Sequence, residues 1–293
     1  MDSPHSMGPE LKQWTPPFTP TGRSSYWSQD FSAFAGIRGA HWGILARFRA
    51  DAAYLGRLLP APLEPAPNTG EVFLFINETL AIAEQERLAD AAPAERRFRE
   101  AILIFPCRYE GVECRYHYIM YTDSDWNVYI ANLLGLWTKL ADIDLLFPYP
   151  PNPSFDPFGG DGELRGSVAR LGERIMSVSF RPRERVDPAA TFASGWRTPL
   201  LGMRYFPDIS TQAKGRPLVH DLVRYDMDER VVAEAWRGEA EVAFGDSARE
   251  ELAPFAPLEM RESYYMSGYS YLMRGPRALH DYVRGERVGA LEG

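Results

Sequence analysis

Short segments with the pattern of β-strands follow one another along most of this 293-residue chain. They are apolar or alternating runs separated by glycine, proline and charged turns, at residues 39–48, 71–83, 101–105, 113–121, 218–226, 230–236 and 239–244. Residues 163–181 have the pattern of a hairpin that turns at Gly172. Helical patterns are fewer, at residues 51–59 and 276–283, with a helix followed by a turn over residues 126–140. The strand–helix alternation of a parallel sheet is missing, so we predict an α+β fold that is mainly antiparallel β.

The two ends of this pattern suggest a simple domain organisation. Residues 1–30 are rich in Pro, Ser and Thr and lack periodicity, so they are predicted to form an extended N-terminal arm. Residues 31–293 are predicted to form a single domain. Within it, residues 85–99 read as an exposed helix or a long loop. Residues 147–162 carry five prolines and three glycines, which predicts a surface loop that is a lid, an oligomer contact or a plain connector.

Charge and motifs exclude several function classes. The net charge of −8 gives no electrostatic reason to bind nucleic acid or an anionic membrane. The chain has no run of about 18 apolar residues, and its first 20 residues lack the features of a secretory signal. Cys107 and Cys114 form neither a disulfide framework nor a zinc motif, and the histidines show no ligand spacing. We therefore expect a cytoplasmic protein with no metal and no cofactor.

Lysine is rare in this chain, and one lysine stands in an unusual place. The 32 basic residues are 29 arginines and only Lys12, Lys139 and Lys214. Lys12 falls in the arm and Lys214 in a polar segment, whereas Lys139 follows the apolar stretch 130–137. A lysine in such surroundings either extends its ammonium group to the surface or sits in an apolar pocket.

The pocket alternative has a chemical consequence. A free lysine titrates near pH 10.4, so only about one in 2,500 is neutral at pH 7. Burial can lower the pKa by roughly 3–5 units, and the neutral amine can then form a Schiff base with a ketone. Glu100 directly precedes the apolar segment 101–105 and follows three arginines. It is either part of a surface charge cluster or an acid at the mouth of such a pocket.

Several motifs resemble those of the acetoacetate decarboxylase family, in the same order and with similar spacing. The resemblance is carried by RLLPAPLE at 57–64, YIMYTD at 118–123, LWTK at 136–139, a central hairpin at 166–180 and AWRG at 235–238. It covers most of residues 36–285. It implies a cone-shaped double β-barrel with a few peripheral helices, a homo-oligomer, and a Schiff-base lysine in a buried apolar pocket.

The resemblance also implies roles for particular residues. Lys139 is expected to be the nucleophile and Glu100 the acid that handles protons, with Trp137 and Met120 in the pocket wall. The family's entrance arginine, which attracts the substrate carboxylate, corresponds to Arg38, although strict counting places His41 closer.

One departure from the family bears on the reaction. The decarboxylases have two adjacent lysines, whereas here Leu140 takes the second position and Thr138 replaces a proline. The implied function is a carbon–carbon lyase acting on a small keto acid, by decarboxylation of a β-keto acid or by aldolase-dehydratase chemistry on a pyruvate-like substrate. The missing lysine weakens the decarboxylase interpretation. The alternative is a non-catalytic keto-acid-binding protein, in which residues 264–271 either line the pocket or only pack a strand.

Overall fold

The computed structural model describes residues 36–83, 96–146, 158, 162–192, 198–210 and 215–291. Within them the chain forms seventeen strands and two α-helices. The first nine strands are β1 (Ile37–Arg49), β2 (Glu64–Pro65), β3 (Glu71–Ala83), β4 (Arg97–Tyr109), β5 (Val112–Thr122), β6 (Thr138–Leu140), β7 (Asp142–Leu146), β8 (Leu164–Arg170) and β9 (Glu173–Val186). The remaining strands are β10 (Leu200–Pro207), β11 (Pro217–Tyr225), β12 (Met227–Val231), β13 (Glu234–Phe244), β14 (Glu259–Met260), β15 (Ser263–Met273), β16 (Arg277–Asp281) and β17 (Glu286–Arg287).

The helices are short and lie between strands. They are α1 (Ala52–Leu58) and α2 (Asp125–Leu134), with 3₁₀ turns at Pro188–Phe192 and Ala253–Phe255. Ser124 caps α2 by accepting a hydrogen bond from the Asn127 N–H, and Gly135 ends it in a left-handed conformation at φ 98°. In the described residues, no helix is long and apolar enough to cross a membrane.

Five neighbouring strands form the central part of the sheet, which we call the wall. They run side by side and antiparallel in the order β15–β1–β3–β4–β5. At one edge of these five strands, β5 pairs in parallel with β10, and β11 and β16 then follow in antiparallel pairs. At the other edge, β15 pairs with β13, and the sheet continues through β9 and β8 to β7. The antiparallel α+β class and the double-barrel architecture predicted from the sequence are confirmed.

The wall is buried on both faces because its side chains alternate between two cores. On β3, Leu74 and Ile76 belong to a first core that also contains residues of β8, β9 and β13, whereas Phe73 and Phe75 belong to a second core. This period of two is the basic geometry of a β-strand. The candidate site lies on the second-core face.

A β-bulge in β5 changes which side chains share a face. Ile104 pairs with His117 and Leu103 with Ile119, so Tyr118 is the extra residue. Regular alternation through residues 113–121 would place Cys114, Tyr116, Tyr118 and Met120 on one face, but the extra residue reverses the alternation before Met120. The first three side chains pack in or against the first core, whereas Met120 faces the second.

Two further sequence predictions differ from the structure. Residues 277–281 form strand β16, not a helix, because they pair antiparallel with β11 and complete a sheet edge. Residues 97–99 belong to β4, while the rest of segment 85–99, except residue 96, lies outside the described residues. The arm at 1–30 and nearly all of segment 147–162 also lie outside them.

Candidate active site

A largely apolar cavity lies between the second-core face of the wall and helix α2. Its volume, counted as the space open to the centres of water-sized molecules, is about 90 Å³. At roughly 10–15 Å³ for one water on this measure, the cavity has room for a small organic acid. Its polar side chains are few, and the charged or titratable ones are His41, Glu100, Arg115, His117, Tyr269 and Tyr271.

Glu100 is held at the cavity by a buried polar cluster. One carboxylate oxygen, Oε1, accepts hydrogen bonds from the Thr79 hydroxyl at 2.8 Å and from Asn77 Nδ2 at 3.2 Å. The same oxygen lies 3.4 Å from Nδ1 of His41, and both side chains are almost fully buried. The cluster arises because Asn77 is opposite Glu100 in the β3–β4 register and is also opposite Gly43 in β1.

The cluster keeps Glu100 in its charged form. Burial by itself raises the pKa of this carboxyl, but the hydrogen bond and charge of His41, with the bonds from Asn77 and Thr79, lower the pKa below its ordinary value overall. Glu100 is therefore a carboxylate at neutral pH.

His41 presents one ring nitrogen to the cavity. Its Nδ1 lies 2.9 Å from the oxygen of Thr79, whose hydroxyl donates to Glu100, and 3.2 Å from Nδ2 of Asn77. Its Nε2 lines the cavity side of the ring and is buried with no hydrogen-bond partner in the described residues. Gly39 leaves room beside this nitrogen, because a Cβ at that position would lie 2.7 Å from Nε2. His41 and Glu100 thus form a carboxylate–imidazole pair whose second ring nitrogen, Nε2, faces the cavity.

β5 contributes two more polar side chains to the cavity. Burial lowers the pKa of Arg115 to about 9, so its guanidinium is still cationic at neutral pH. It donates from Nε and Nη2 to the Thr198 carbonyl. Burial also lowers the pKa of His117 to about 4, so this imidazole is neutral, and neither ring nitrogen has a side-chain partner in the described part of the chain. A buried cation and a neutral N–H donor can bind a carboxylate and a carbonyl oxygen.

Lys139 is on the other face of its strand. β6 runs parallel to β5, with Thr138 opposite Met120 and Lys139 opposite Tyr121. Lys139 Nζ lies 2.7 Å from Glu250 Oε2, the Tyr121 hydroxyl donates to the same oxygen, and the lysine side chain is 39% exposed. The expectation that Lys139 lies in the apolar pocket near Glu100 differs from the structure, because the residue that shares the cavity-side face of Met120 is Thr138.

The other predicted site residues separate into two groups. Met120 and Glu100 line the cavity, as does His41, the alternative to Arg38. Arg38 does not line it and instead pairs with Glu229 at 2.6 Å. Trp137 does not line it either, and 44% of its surface is exposed. Both expectations differ from the structure because alternate residues of an extended segment point to opposite faces.

Sequence reasoning missed Arg115, His117, Asn77 and Thr79. Their signal was weak, because polar residues inside alternating strands are also typical of a solvent-facing sheet surface. In the described residues, no group of three or more His, Cys, Asp or Glu side chains is arranged to hold a metal ion.

Comparison with known proteins gives the family. The model of the acetoacetate decarboxylase family matches residues 15–283, which is most of the chain. The chain belongs to the acetoacetate decarboxylase family. It is 23% identical over 242 residues to the acetoacetate decarboxylase of Clostridium botulinum, a match that covers 81% of this chain and 85% of the relative.

Solved structures show the same fold. An acetoacetate decarboxylase-like enzyme from Sphingomonas wittichii RW1 matches with a TM-score of 0.74 and 24% identity, over 84% of this chain and 94% of its own. The enduracididine biosynthesis enzyme MppR, complexed with the condensation product of pyruvate and imidazole 4-carboxaldehyde, matches with a TM-score of 0.75 and 20% identity, over 94% of this chain and 98% of its own. Another structure of MppR contains pyruvate.

Proposed function

We propose that this protein is a lyase that binds a small keto acid in the cavity and moves a proton with the His41–Glu100 pair. The observation that carries the proposal is the buried Nε2 of His41, which lines the cavity while Nδ1 is held by Thr79 beside Glu100. Family membership and the pyruvate-containing structures of MppR support a keto acid as the substrate class.

The chemistry follows from the groups around the cavity. Arg115 binds the substrate carboxylate, and the N–H of His117 donates to the keto oxygen. His41 Nε2 removes a proton from the carbon next to the ketone, and the electron pair moves onto the keto oxygen to give an enolate. The Glu100 carboxylate stabilises the imidazolium that forms. The enolate carbon can then add to an aldehyde, whose oxygen takes the proton from the His41 imidazolium, and the reverse sequence cleaves the same carbon–carbon bond.

A Schiff base on Lys139 is the alternative that the family resemblance suggests. It requires the amine to leave Glu250 and reach the opposite face of β6. Among the described residues that line the cavity, none is a lysine, which supports non-covalent acid–base chemistry.

The test is exchange of the methyl protons of pyruvate in deuterated water, followed by NMR. The wild-type protein is expected to accelerate exchange, and His41→Gln and Glu100→Gln are expected to slow it by roughly 10²–10⁴-fold, the usual contribution of a positioned acid or base. Lys139→Met serves as the matched control and should retain exchange.

Two results would contradict the proposal. Borohydride reduction in the presence of pyruvate that adds mass to the Lys139 peptide would support the Schiff base instead. Binding of pyruvate by wild-type protein without any exchange would support the non-catalytic alternative. The homo-oligomeric state and the cytoplasmic location implied by the family and composition stay predictions.

A further inference from the structure

A second, polar cavity adjoins the first. It has a volume of about 330 Å³ and is lined by three arginines, Arg224, Arg230 and Arg277, together with Asp226 and Asp228. We call it the arginine pocket. It lies where β11, β12 and β16 begin or end, beside the first residues of β10.

The charge of the arginine pocket differs from that of the whole chain. Asp226 is shared by two cations, since Nε of Arg224 and Nε of Arg277 each lie 2.8 Å from one of its oxygens. Asp228 also pairs, at 3.3 Å, with Arg274, which is not part of the lining. Among the described residues that line the pocket, three guanidinium groups face two carboxylates, in a chain with a net charge of −8. Such a local excess of positive charge favours an anion.

The arginine pocket is separated from the apolar cavity by little protein. Met227 lines both. The backbone N–H of Arg115, a residue of the apolar cavity, donates to the carbonyl of Pro199, which lines the arginine pocket, at 2.8 Å. Arg230 is close enough that its charge acts on both Arg115 and Tyr271 across this boundary. Methionine is unbranched and flexible, so a ligand can displace it at small cost.

We propose that the arginine pocket binds a second oxyanion of the substrate, so that the substrate is a keto acid with a carboxylate or a phosphate group at its far end. This inference rests on the proposed function, because it takes the first carboxylate and the ketone to lie in the apolar cavity. Arginines suit both oxyanions because their guanidinium groups bind either one through paired hydrogen bonds.

The test measures binding by calorimetry to the full chain. The probes are unbranched 2-keto monoacids and 2-keto diacids of equal chain length, with one 2-keto acid that ends in a phosphonate. At one chain length the diacid or the phosphonate should bind about 10-fold or more tightly than the monoacid, the effect of one added charge-assisted hydrogen bond. The tighter of the two identifies the oxyanion.

Matched variants locate the effect. Arg277→Gln should remove most of this preference while leaving monoacid affinity unchanged. Arg230→Gln should also remove most of the preference, and Arg230→Lys should retain part of it. Arg183→Gln is the control, since Arg183 pairs with Glu239 and lines neither cavity. Thermal unfolding of each variant excludes a folding defect as the cause of a lost preference.

Equal binding of monoacids and diacids at every length would overturn the inference, as would a preference that survives both glutamine substitutions. Neither result affects proton exchange on pyruvate, which tests the proposed function separately. A diacid preference without proton exchange would overturn the proposed function while supporting a binding role for the arginine pocket.

Discussion

The ammonium group of Lys139 lies 2.7 Å from the carboxylate of Glu250, on the face of β6 turned away from the cavity. Glu250 is 3% exposed and also lies 3.1 Å from Arg170, and it accepts a hydrogen bond from Tyr121. The lysine therefore links a short strand to the segment that follows β13.

Replacing Lys139 should consequently change stability more than chemistry. Lys139→Met leaves Glu250 buried with one cation fewer, and since the lysine is partly exposed and Arg170 remains, we expect a loss of about 1–2 kcal/mol in the free energy of unfolding. Urea denaturation measures this loss. The double variant Lys139→Met with Glu250→Gln should recover part of it, and a double variant no more stable than the sum of the two single losses would contradict the coupling.

A substitution at Gly39 tests the role of His41 without removing a titratable group. In Gly39→Ala the new Cβ would lie 2.7 Å from His41 Nε2 and 3.3 Å from the ring of Tyr271, so the imidazole must move. We expect proton exchange on pyruvate to fall by about 10-fold or more, because catalysis depends on sub-ångström placement of the base. The far-UV spectrum should stay unchanged. Wild-type exchange rates in this variant would argue against Nε2 as the base.

Glu100 should make the free energy of unfolding depend on pH below about 4.3, which is the ordinary pKa of a glutamate. Its pKa is lower in the folded protein, so the unfolded chain binds the proton first. The contribution of Glu100 is complete above that pH and is lost as the pH falls through its folded pKa. Urea denaturation between pH 3 and pH 5.5 should give a steeper slope for wild type than for Glu100→Gln. Equal slopes would contradict the lowered pKa.

His117 should make the free energy of unfolding depend on pH over a higher range, between its ordinary pKa of 6.5 and its folded pKa of about 4. Here the unfolded chain is protonated and the folded protein is not, so stability falls as the pH falls. The full difference is about 3 kcal/mol, from 1.36 kcal/mol per pKa unit. His117→Phe should lose most of this dependence. The measurement is the free energy of unfolding at pH 7 and at pH 4.5, and an unchanged difference in the variant would refute a buried, neutral His117.

The two cysteines should be inert in the folded protein. Cys107 and Cys114 are opposite each other in β4 and β5, with their Sγ atoms 3.3 Å apart, and both are buried. The hydrogen bond with Cys114, together with burial, raises the pKa of the Cys107 thiol. A chromogenic disulfide reagent at pH 8 should label neither thiol in native protein and both in urea. Rapid labelling of the native protein would show that this region opens.

Much of the fold was predictable because strand formation depends on local sequence patterns. The apolar run in residues 71–83 and the turn at Gly172 predicted β3 and the β8–β9 hairpin from neighbouring residues alone. The sequence also showed the order of the family motifs, and the resemblance predicted Glu100 and Met120 at the cavity. Residues 277–281 were not, because a five-residue segment becomes a strand here through pairing with β11, which lies far away in the chain.

By itself, the sequence determined the positions of many of the strands, the family and the acidic residue at the cavity. The tertiary structure alone decided which side chains meet at the cavity. A bulge at Tyr118 brings Met120 to the same side as His117, and the parallel pairing of β6 with β5 turns Lys139 toward Glu250. The physical reason is that a shift of one residue in strand register moves a side chain to the opposite face, and that register is fixed by partners distant in the chain.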